Sequence, residues 1–306
     1  MRELIVAPLR PVRAAVARLI AGVVEQYPSL EPWFVRTGRS MARRSRFGGR
    51  LYWFAQDALM KRLRRSGHQF RPVAIRDFVV DVDITDVSGR MSFFYPKPYR
   101  KQVVDAMITA LKPGDVFVDV GAHLGYFSII AARVVGPSGR VVAFEPHERM
   151  QDDLRTLVAR NEVDRIVEIV PAAVVDKEAD VTLHTSDASA AYTTVEPDRS
   201  PAKGHARLRP STVVRGISLD EWLERRPGMA SRVRCIKIDV QGAESRVLAG
   251  MVRTLLPAGV TVLCDTSIGS EGDLALERAG YRRHRIERGS ASYGNFLYVR
   301  PGPGVF

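Results

Sequence analysis

Four acidic residues follow apolar runs that are typical of β-strands, at or just beyond the point where each run ends. They are Asp119, Glu145, Asp239 and Asp265. Because the carboxyl ends of strands in an open α/β sheet define one crevice, we expect these carboxylates to lie around a single site. Carboxylates attract cationic groups and accept hydrogen bonds from hydroxyls. The pattern therefore predicts a ligand that carries both.

The stretch from Asp115 to Gly125 reads as a strand, a glycine turn and the start of a helix. Gly121 and Gly125 carry no Cβ, so the backbone can turn tightly and a ligand can approach it. Their spacing matches neither the dinucleotide fingerprint nor the P-loop. Asp119 stands two residues before the first glycine, and an anion there disfavours a bound pyrophosphate. S-adenosylmethionine, with its amino group, sulfonium and ribose, fits these requirements.

Glu145 ends the following strand, 24 positions after Gly121. In a βαβ nucleotide site, an acid about 20 residues after the glycines accepts hydrogen bonds from ribose hydroxyls. The spacing therefore predicts that Glu145 binds a ribose. Asp239 and Asp265 are too few carboxylates to predict a metal site, and no Cys/His spacing typical of metal ligands occurs.

Apolar periodicity predicts an α/β domain that follows a helical segment. The predicted strands cover 115–120, 140–145, 167–175, 181–184, 234–239, 260–267, 281–286 and 295–300, the last two forming a hairpin at one edge of the sheet. The predicted helices cover 12–27, 51–65, 99–111, 126–135, a segment from 146, 218–223, 247–255 and 274–280. A β-hairpin is predicted from 78–84 and 91–95 around Ser88-Gly89, and 185–216 is predicted to be an irregular loop or lid.

The net charge of +12 is confined to the first quarter of the chain. Residues 1–76 contain 16 Lys+Arg and 4 Asp+Glu, whereas the remainder contains 30 of each. We predict a basic, mainly helical extension over 1–72 and a cofactor-binding domain over 73–306. The basic stretch 36–65 is interpreted as a solvated face, a contact for an anionic membrane surface, or a contact for an acidic carrier. No nucleic-acid recognition motif accompanies the charge, so no nucleic-acid partner is expected, and a homo-oligomer is left open.

Cys235 and Cys264 lie in apolar, strand-like runs. Two buried thiols in neighbouring strands are the prediction, and they suit a reducing cytoplasm. No apolar run approaches the roughly 18 residues that a spanning helix needs. The predicted location is therefore cytoplasmic, with peripheral membrane association as a variant.

Four segments resemble the FkbM family of S-adenosylmethionine-dependent methyltransferases: Gly114–Ser128, Val142–Pro146, Pro171–Val174 and Ile236–Gly250. The resemblance covers about residues 90 to 300, and the last segment is its most specific part. It implies a Rossmann-like class I methyltransferase sheet of about seven strands, mostly parallel with an antiparallel C-terminal strand. It also implies, typically, O-methylation of a hydroxyl on a sugar, glycolipid or other secondary metabolite.

The resemblance further implies cofactor-binding roles for residues of this chain. The glycine loop would hold the methionine part of the cofactor through Asp119, Gly121, Ala122, His123 and Gly125. Glu145 and the adjacent Pro146 would contact the ribose, and Ala172 and Ala173 would lie near the adenine. Asp239 would border both the sulfonium and the acceptor.

Two positions depart from the family pattern, because members usually have Asn where His123 stands and often Glu where Gln241 stands. Asp239 and His123 are the predicted catalytic residues, with Asp239 as the first candidate for the base that removes the hydroxyl proton. His147 and Glu244 are lesser candidates. His123 is alternatively a hydrogen-bonding residue of the loop, and Glu244 is alternatively a helix cap.

Four other functions are alternatives to an O-methyltransferase. The glycine spacing disfavours a nucleotide oxidoreductase. A methyltransferase for nucleic acid would explain the basic segment, but the Asn/Asp-Pro-Pro-Tyr stretch that accompanies a flipped base is absent. Two alternatives remain open: a non-catalytic protein of the same fold, docked to a membrane or a biosynthetic complex, and a methyltransferase acting on a peptide or nucleic-acid substrate.

Overall fold

The computed structural model describes residues 9–95, 99–186, 193–200, 207–287 and 293–301. The chain divides into two compact units, Met1–Tyr99 and Arg100–Phe306, which are described separately. The sequence places the boundary at residue 72, whereas residue 72 lies inside a strand of the first unit. No helix among the described residues is both long and apolar enough to cross a membrane.

The described part of the first unit contains three α-helices, a β-hairpin and a fourth α-helix. In chain order they are α1 (Leu9–Gln26), α2 (Glu31–Arg44), α3 (Arg46–Ser66), β1 (Phe70–Ile75), β2 (Phe78–Asp83) and α4 (Val87–Phe94). Only Ser45 separates α2 from α3, and its hydroxyl caps α3 by accepting the N–H of Gly48 at 2.9 Å. A Cβ at Gly38 would lie 2.0 Å from the ring of Tyr52. The glycines of this basic stretch therefore serve close helix packing.

The predicted hairpin of 78–84 and 91–95 is wrong in its second strand. Strand β2 pairs antiparallel with the preceding β1, and Arg76 takes a left-handed φ of 50° in the turn between them. Asp86 caps α4 by accepting the N–H of Ser88 at 2.8 Å. A Cβ at Gly89 would lie 2.0 Å from the carbonyl oxygen of Asp83. Ser88-Gly89 is thus the first turn of a helix packed against the end of β2.

The second unit contains a seven-stranded sheet in the order β11-β12-β10-β9-β3-β4-β5. Its strands are β3 (Val116–Val120), β4 (Arg140–Phe144), β5 (Val167–Val170), β9 (Val233–Ile238), β10 (Thr261–Ser267), β11 (Arg282–Arg285) and β12 (Tyr293–Val299). The pairs from β5 through β10 are parallel, whereas β12 runs antiparallel to β10 and β11. The predicted seven-stranded, mostly parallel Rossmann-like sheet with a terminal hairpin is confirmed.

Among the described residues, seven α-helices accompany this sheet. They are α5 (Lys101–Ala110), α6 (Tyr126–Val135), α7 (Glu148–Arg160), α8 (Leu219–Glu224), α9 (Glu244–Ala249), α10 (Leu255–Ala258) and α11 (Glu271–Arg278). Strand β3 is buried along its whole length, as is typical of parallel strands covered on both faces. Cys235 and Cys264 are buried free thiols on the adjacent strands β9 and β10, as predicted. The cytoplasmic location stays a prediction.

A second sheet replaces part of the predicted irregular loop at 185–216. It consists of β6 (Ala173–Val174), β7 (Ala179–Ser186) and β8 (Leu208–Ile217) in the order β6-β8-β7. Strand β8 pairs antiparallel with β7 over residues 208–216, so the loop prediction is wrong there. Most of β8 is exposed, and it therefore shows no apolar alternation. Residues 187–192 and 201–206 of the predicted loop lie outside the described residues.

A buried carboxylate ties α8 to the segment between α9 and α10. Asp220 accepts the backbone N–H of Arg253 and that of Thr254, each at 2.9 Å, and the hydroxyl of Thr254 at 2.6 Å. Ser218, at the N-cap position of α8, makes no side-chain cap and donates instead to the carbonyl of Gly250 at 3.1 Å. Three donors thus depend on one buried aspartate.

The predicted helix over 247–255 is interrupted at Gly250. A Cβ there would lie 2.2 Å from the carbonyl oxygen of Val175. The backbone approaches so closely only because a glycine occupies the position. Helix α9 therefore ends at Ala249, and α10 begins at Leu255.

We expect Asp220→Ala to lower the free energy of unfolding by about 2–4 kcal/mol, because it leaves buried donors without an acceptor. Urea denaturation measures this loss. Glu224→Ala is the matched control, since Glu224 pairs with Arg253 while both side chains are more than half exposed. Such a surface pair contributes at most about 1 kcal/mol. Equal losses in the two variants would contradict the role given to Asp220.

Candidate active site

The strand register brings four strand-end positions into one row. Val120 pairs with Phe144 on one side and Ile238 on the other, and Ile238 pairs with Cys264. The residues that follow these four occupy neighbouring positions on β4, β3, β9 and β10: Glu145, Gly121, Asp239 and Asp265. Adjacent strands lie about 4.8 Å apart, so the three carboxylates border one edge of the sheet. The predicted convergence holds for Glu145, Asp239 and Asp265.

The loop between β3 and α6 contains three residues with left-handed backbone angles. Their φ values are 75° at Gly121, 53° at His123 and 89° at Gly125. A Cβ at Gly121 would lie 2.1 Å from the carbonyl oxygen of Asp239, and one at Gly125 would lie 2.2 Å from Leu154. Both glycines are therefore required. Asn and His tolerate positive φ better than most residues do, which suits position 123.

Asp119 does not offer an unpaired charge to a ligand. Its fully buried carboxylate accepts the ammonium of Lys237 at 3.0 Å and the hydroxyl of Ser128 at 2.7 Å. The same ammonium donates to the carbonyl of Gly121 at 3.1 Å. The prediction that the Asp119 carboxylate attracts a cationic ligand is therefore wrong, because Lys237 and Ser128 already occupy its oxygens. Asp119 and Lys237 instead fix the position of the glycine loop.

Lys237 is the site residue that sequence reasoning missed. Burial alone would lower the pKa of its ammonium, but Asp119 and Asp239 hold that pKa above its ordinary value. Lys237 therefore stays charged. A signal was present, since a lysine inside the apolar strand Cys235–Ile238 must find a buried partner.

Glu145 connects the glycine loop to the segment after β4. One carboxylate oxygen accepts the N–H of His123 at 2.8 Å, and the other accepts the N–H of His147 at 3.0 Å. Burial raises the pKa of Glu145, although these hydrogen bonds oppose the shift. Each oxygen keeps a lone pair for a further donor. The Nδ1 atom of His147 is buried and has no hydrogen-bond partner among the described residues.

Asp239 and Asp265 lie side by side, but their proton affinities differ. Burial would raise the pKa of Asp239, yet Lys237, Arg100 and the amide of Gln241 at 2.8 Å hold it below its ordinary value. Burial and the neighbouring Asp239 raise the pKa of Asp265 to about 6, against the opposing charge of Arg100. The Arg100 guanidinium donates twice to Asp265, each time at 3.0 Å. Asp239 is therefore the more strongly ionised carboxylate.

Glu244 lies beside a cavity of about 430 Å³. It begins α9, but that helix has no side-chain cap, and the Glu244 carboxylate accepts the N–H of Gly242, which precedes the helix, at 2.9 Å. Burial raises the pKa of Glu244 to about 7, assisted by Asp239 and Asp265. Polar side chains dominate the cavity lining, which includes Arg199, Ser245, Thr266, Ser270, Glu271 and Tyr293.

The remaining predicted site residues surround the Glu145 end of the row. Pro146 and His147 lead into α7, with His147 at its N-cap position. Ala172 and Ala173 are buried where the chain passes from β5 to β6, and the N–H of Ala172 donates to Val170 at 2.9 Å. Ala122 is buried within the glycine loop. Groups of His, Cys, Asp and Glu able to hold a metal ion do not occur among the described residues.

Residues 119–270 match the family model of the methyltransferase FkbM domain. This segment is therefore similar to the FkbM methyltransferase domain. The resemblance noted in the sequence is thereby confirmed, and the matched segment begins at Asp119 and includes the whole carboxylate row. Among curated proteins, no sequence matches the chain.

Solved structures similar to this chain include an FkbM methyltransferase from Methylobacillus flagellatus, at 14% identity and a TM-score of 0.39. That alignment covers 64% of this chain and 50% of the other protein, so the chain spans half of that protein's length. An O-methyltransferase from Bacillus cereus, in complex with S-adenosylhomocysteine, shares 14% identity at a TM-score of 0.38. That alignment covers 66% of this chain and 80% of the other protein. An O-methyltransferase from Streptomyces achromogenes, involved in tomaymycin synthesis, shares 15% identity at a TM-score of 0.39. That alignment covers 66% of this chain and 79% of the other protein. Similarities this low assign no substrate.

We expect Lys237→Met to lower the free energy of unfolding by about 3–5 kcal/mol, because it leaves the Asp119 carboxylate buried without a countercharge. The double variant with Asp119→Asn removes that charge and should recover part of the loss. Urea denaturation of both variants measures the difference. A double variant no more stable than Lys237→Met would contradict the pairing.

The raised pKa of Glu244 predicts a pH-dependent stability. A carboxyl whose pKa rises from 4.5 unfolded to about 7 folded binds more protons in the folded state between those values. Stability from this group is therefore present at low pH and is lost as pH rises through that window. Between about pH 5 and pH 8, wild type should lose roughly 2–3 kcal/mol more than Glu244→Gln. Parallel stability curves for the two proteins would contradict the assignment.

Proposed function

We propose that the FkbM domain transfers a methyl group from S-adenosylmethionine to a hydroxyl of a sugar, a glycolipid or another polyhydroxylated secondary metabolite. The observation that carries this proposal is the row of Glu145, Asp239 and Asp265 along one sheet edge, next to a cavity lined by hydroxyls and carboxylates. Such a row suits a cationic ligand with a ribose, and such a cavity suits a hydroxylated acceptor. The FkbM family match supports the same assignment.

The residues present fit the cofactor. Glu145 has a free lone pair on each carboxylate oxygen, which can accept from ribose hydroxyls. The unpartnered Nδ1 of His147 is a second polar atom beside it. The backbone of the glycine loop can lie close to a ligand because a side chain is sterically excluded at Gly121 and Gly125. When bound, S-adenosylmethionine supplies a methyl group that its sulfonium already activates.

Asp239 acts as the permanent anion of the site. Its lowered pKa keeps it ionised at neutral pH, so it can stabilise a positive charge near the end of β9. The same property makes it a weak proton acceptor. The base predicted at Asp239 is therefore reassigned, and Asp239 keeps its proposed contact with the cofactor. His123 remains a loop residue whose backbone N–H is held by Glu145.

Glu244 is the base in this proposal. It lines the cavity, and its pKa of about 7 matches the operating pH of a general base. A positioned base accelerates such transfers by about 10²–10⁴. Glu244 would take the proton of the acceptor hydroxyl, while the cavity wall orients its oxygen. Orientation of this kind can supply up to roughly 7–11 kcal/mol.

We expect Glu145→Ala to weaken S-adenosylmethionine binding by about 10–100-fold, because hydrogen bonds to a charged group are lost. Titration calorimetry of the full chain measures this, with NAD as the unrelated nucleotide. Glu271→Ala is a suitable control, because Glu271 is an exposed acid of the cavity that pairs with Arg199. Equal affinity for the cofactor and NAD, or no loss in Glu145→Ala, would contradict the site.

We expect Glu244→Gln to leave cofactor affinity unchanged and to lower kcat by about 10²–10⁴. The wild-type kcat should rise with pH through about 7, and the residual rate of the variant should lack that rise. The assay is methyl transfer to a panel of sugars, glycolipids and hydroxylated metabolites. Full turnover in Glu244→Gln would contradict its role as base. Transfer only to peptides or nucleic acid would contradict the acceptor class.

A further inference from the structure

We propose that the first unit docks onto an anionic lipid bilayer through the corner at which α2 meets α3. This basic corner consists of Met41, Arg43, Arg44, Arg46, Phe47 and Arg50, all of them exposed. The inference rests on the first unit alone and is independent of the proposed methyl transfer. Three features carry it: the charge of the corner, the apolar side chains within it, and the distribution of exposed aromatic residues.

The arginines of the basic corner have no acidic partner. Other basic residues of the same unit are paired: Arg62 with Glu25 at 2.7 Å, and Arg71 with Glu31 at 2.6 Å. Within the part of the chain that the structure describes, Arg43, Arg44, Arg46 and Arg50 form no salt bridge. The corner is therefore a concentrated, uncompensated positive charge.

The placement of two of these arginines is unfavourable for the helix that carries them. Arg46 and Arg50 lie in the first turns of α3, where the helix dipole is positive, and the first turn contains no acidic residue. A cation there destabilises the helix unless an anion approaches. A lipid phosphate at this end would be favoured by the guanidinium groups and by the helix end together. The charge of the arginines and the dipole of α3 therefore both favour a phosphate anion.

Apolar side chains are interleaved with these charges. Phe47 is 55% exposed and Met41 is 37% exposed. The exposed aromatic side chains among the described residues all lie between residues 27 and 54: Tyr27, Trp33, Phe47, Trp53 and Phe54. Helix α1 adds Val16, Leu19 and Val23, exposed on one stripe, with Leu19 at 70%. In the second unit the exposed large apolar side chains are aliphatic and scattered.

This combination favours a bilayer over other acidic partners. Nucleic acid or an acidic carrier would account for the arginines but not for exposed Phe47, Met41 and Trp33. Aromatic residues are enriched at the membrane–water interface, where their rings lie at headgroup level. Stable association with a membrane generally needs two signals, and a basic patch with inserted apolar side chains provides both. The first unit contains 18 Lys+Arg and 8 Asp+Glu, a net charge of +10, whereas the second unit carries a net charge of +2.

Vesicle co-sedimentation of the full chain tests the proposal. Vesicles of equal parts phosphatidylglycerol and phosphatidylcholine should bind the protein, and vesicles of phosphatidylcholine alone should not. Replacing Arg43, Arg44, Arg46 and Arg50 by Gln should weaken binding on the order of 100-fold or more, because each basic residue near the surface contributes about fivefold. Gln is nearly as good a helix former as Arg, so α2 and α3 should be retained.

The matched control replaces four exposed, unpaired arginines of the second unit by Gln: Arg149, Arg165, Arg278 and Arg282. It removes the same net charge and should leave vesicle binding nearly unchanged. Phe47→Gln should reduce the binding that survives at high salt while leaving all charges in place.

Equal loss in the two quadruple variants would overturn the basic corner as the docking surface and reduce the effect to net charge. Binding to duplex DNA or polyglutamate without binding to anionic vesicles would overturn the bilayer as partner. Unchanged binding in Phe47→Gln at high salt would overturn the insertion of apolar side chains. A cofactor titration in the same samples should be unaffected, which separates this proposal from the proposed function.

Discussion

The buried ion pair between Lys237 and Asp119 is the interaction on which the candidate site depends. It joins the two central strands β3 and β9 and simultaneously holds the carbonyl of Gly121 at 3.1 Å. A lysine and an aspartate buried among apolar side chains are tolerated only because each satisfies the other. The pair lies one residue before the ends of β3 and β9, and it fixes the position of the glycine loop from which the site is built. The pair therefore links fold stability to the geometry of the crevice.

The charges around this ion pair also give the neighbouring carboxylates different pKa values. Lys237 and Arg100 lower the pKa of Asp239, whereas burial and the resulting anion raise the pKa of Asp265 and Glu244. Groups whose environments drive their pKa values apart are suited to different tasks. One remains an anion, which suits binding of a cation, and another is half protonated near neutrality, which suits proton transfer. A single buried lysine thus accounts for much of this asymmetry.

The sheet, its order of helices and the convergence of strand ends could be predicted, because buried parallel strands have a strong apolar pattern and glycine turns are local signals. Strand β8 could not be predicted, because most of its residues are exposed and show no alternation of apolar and polar side chains. Only its pairing with β7 defines it as a strand. Ser88-Gly89 has the composition of a turn, and its helical conformation depends on the cap that Asp86 provides by accepting the N–H of Ser88. Contacts between distant residues, such as Lys237 with Asp119, could be anticipated only as a requirement for some partner.

A crystal structure of the full chain with S-adenosylhomocysteine would test the central claim most directly, because it would show which atoms meet the ligand. The ribose hydroxyls should lie within hydrogen-bond distance of Glu145, the amino-acid part against the backbone of the Gly121–Gly125 loop, and the sulfur nearest Asp239. A ligand bound away from this row, or a ribose held by other residues while the Glu145 carboxylate contacts only the His123 and His147 N–H groups, would contradict it.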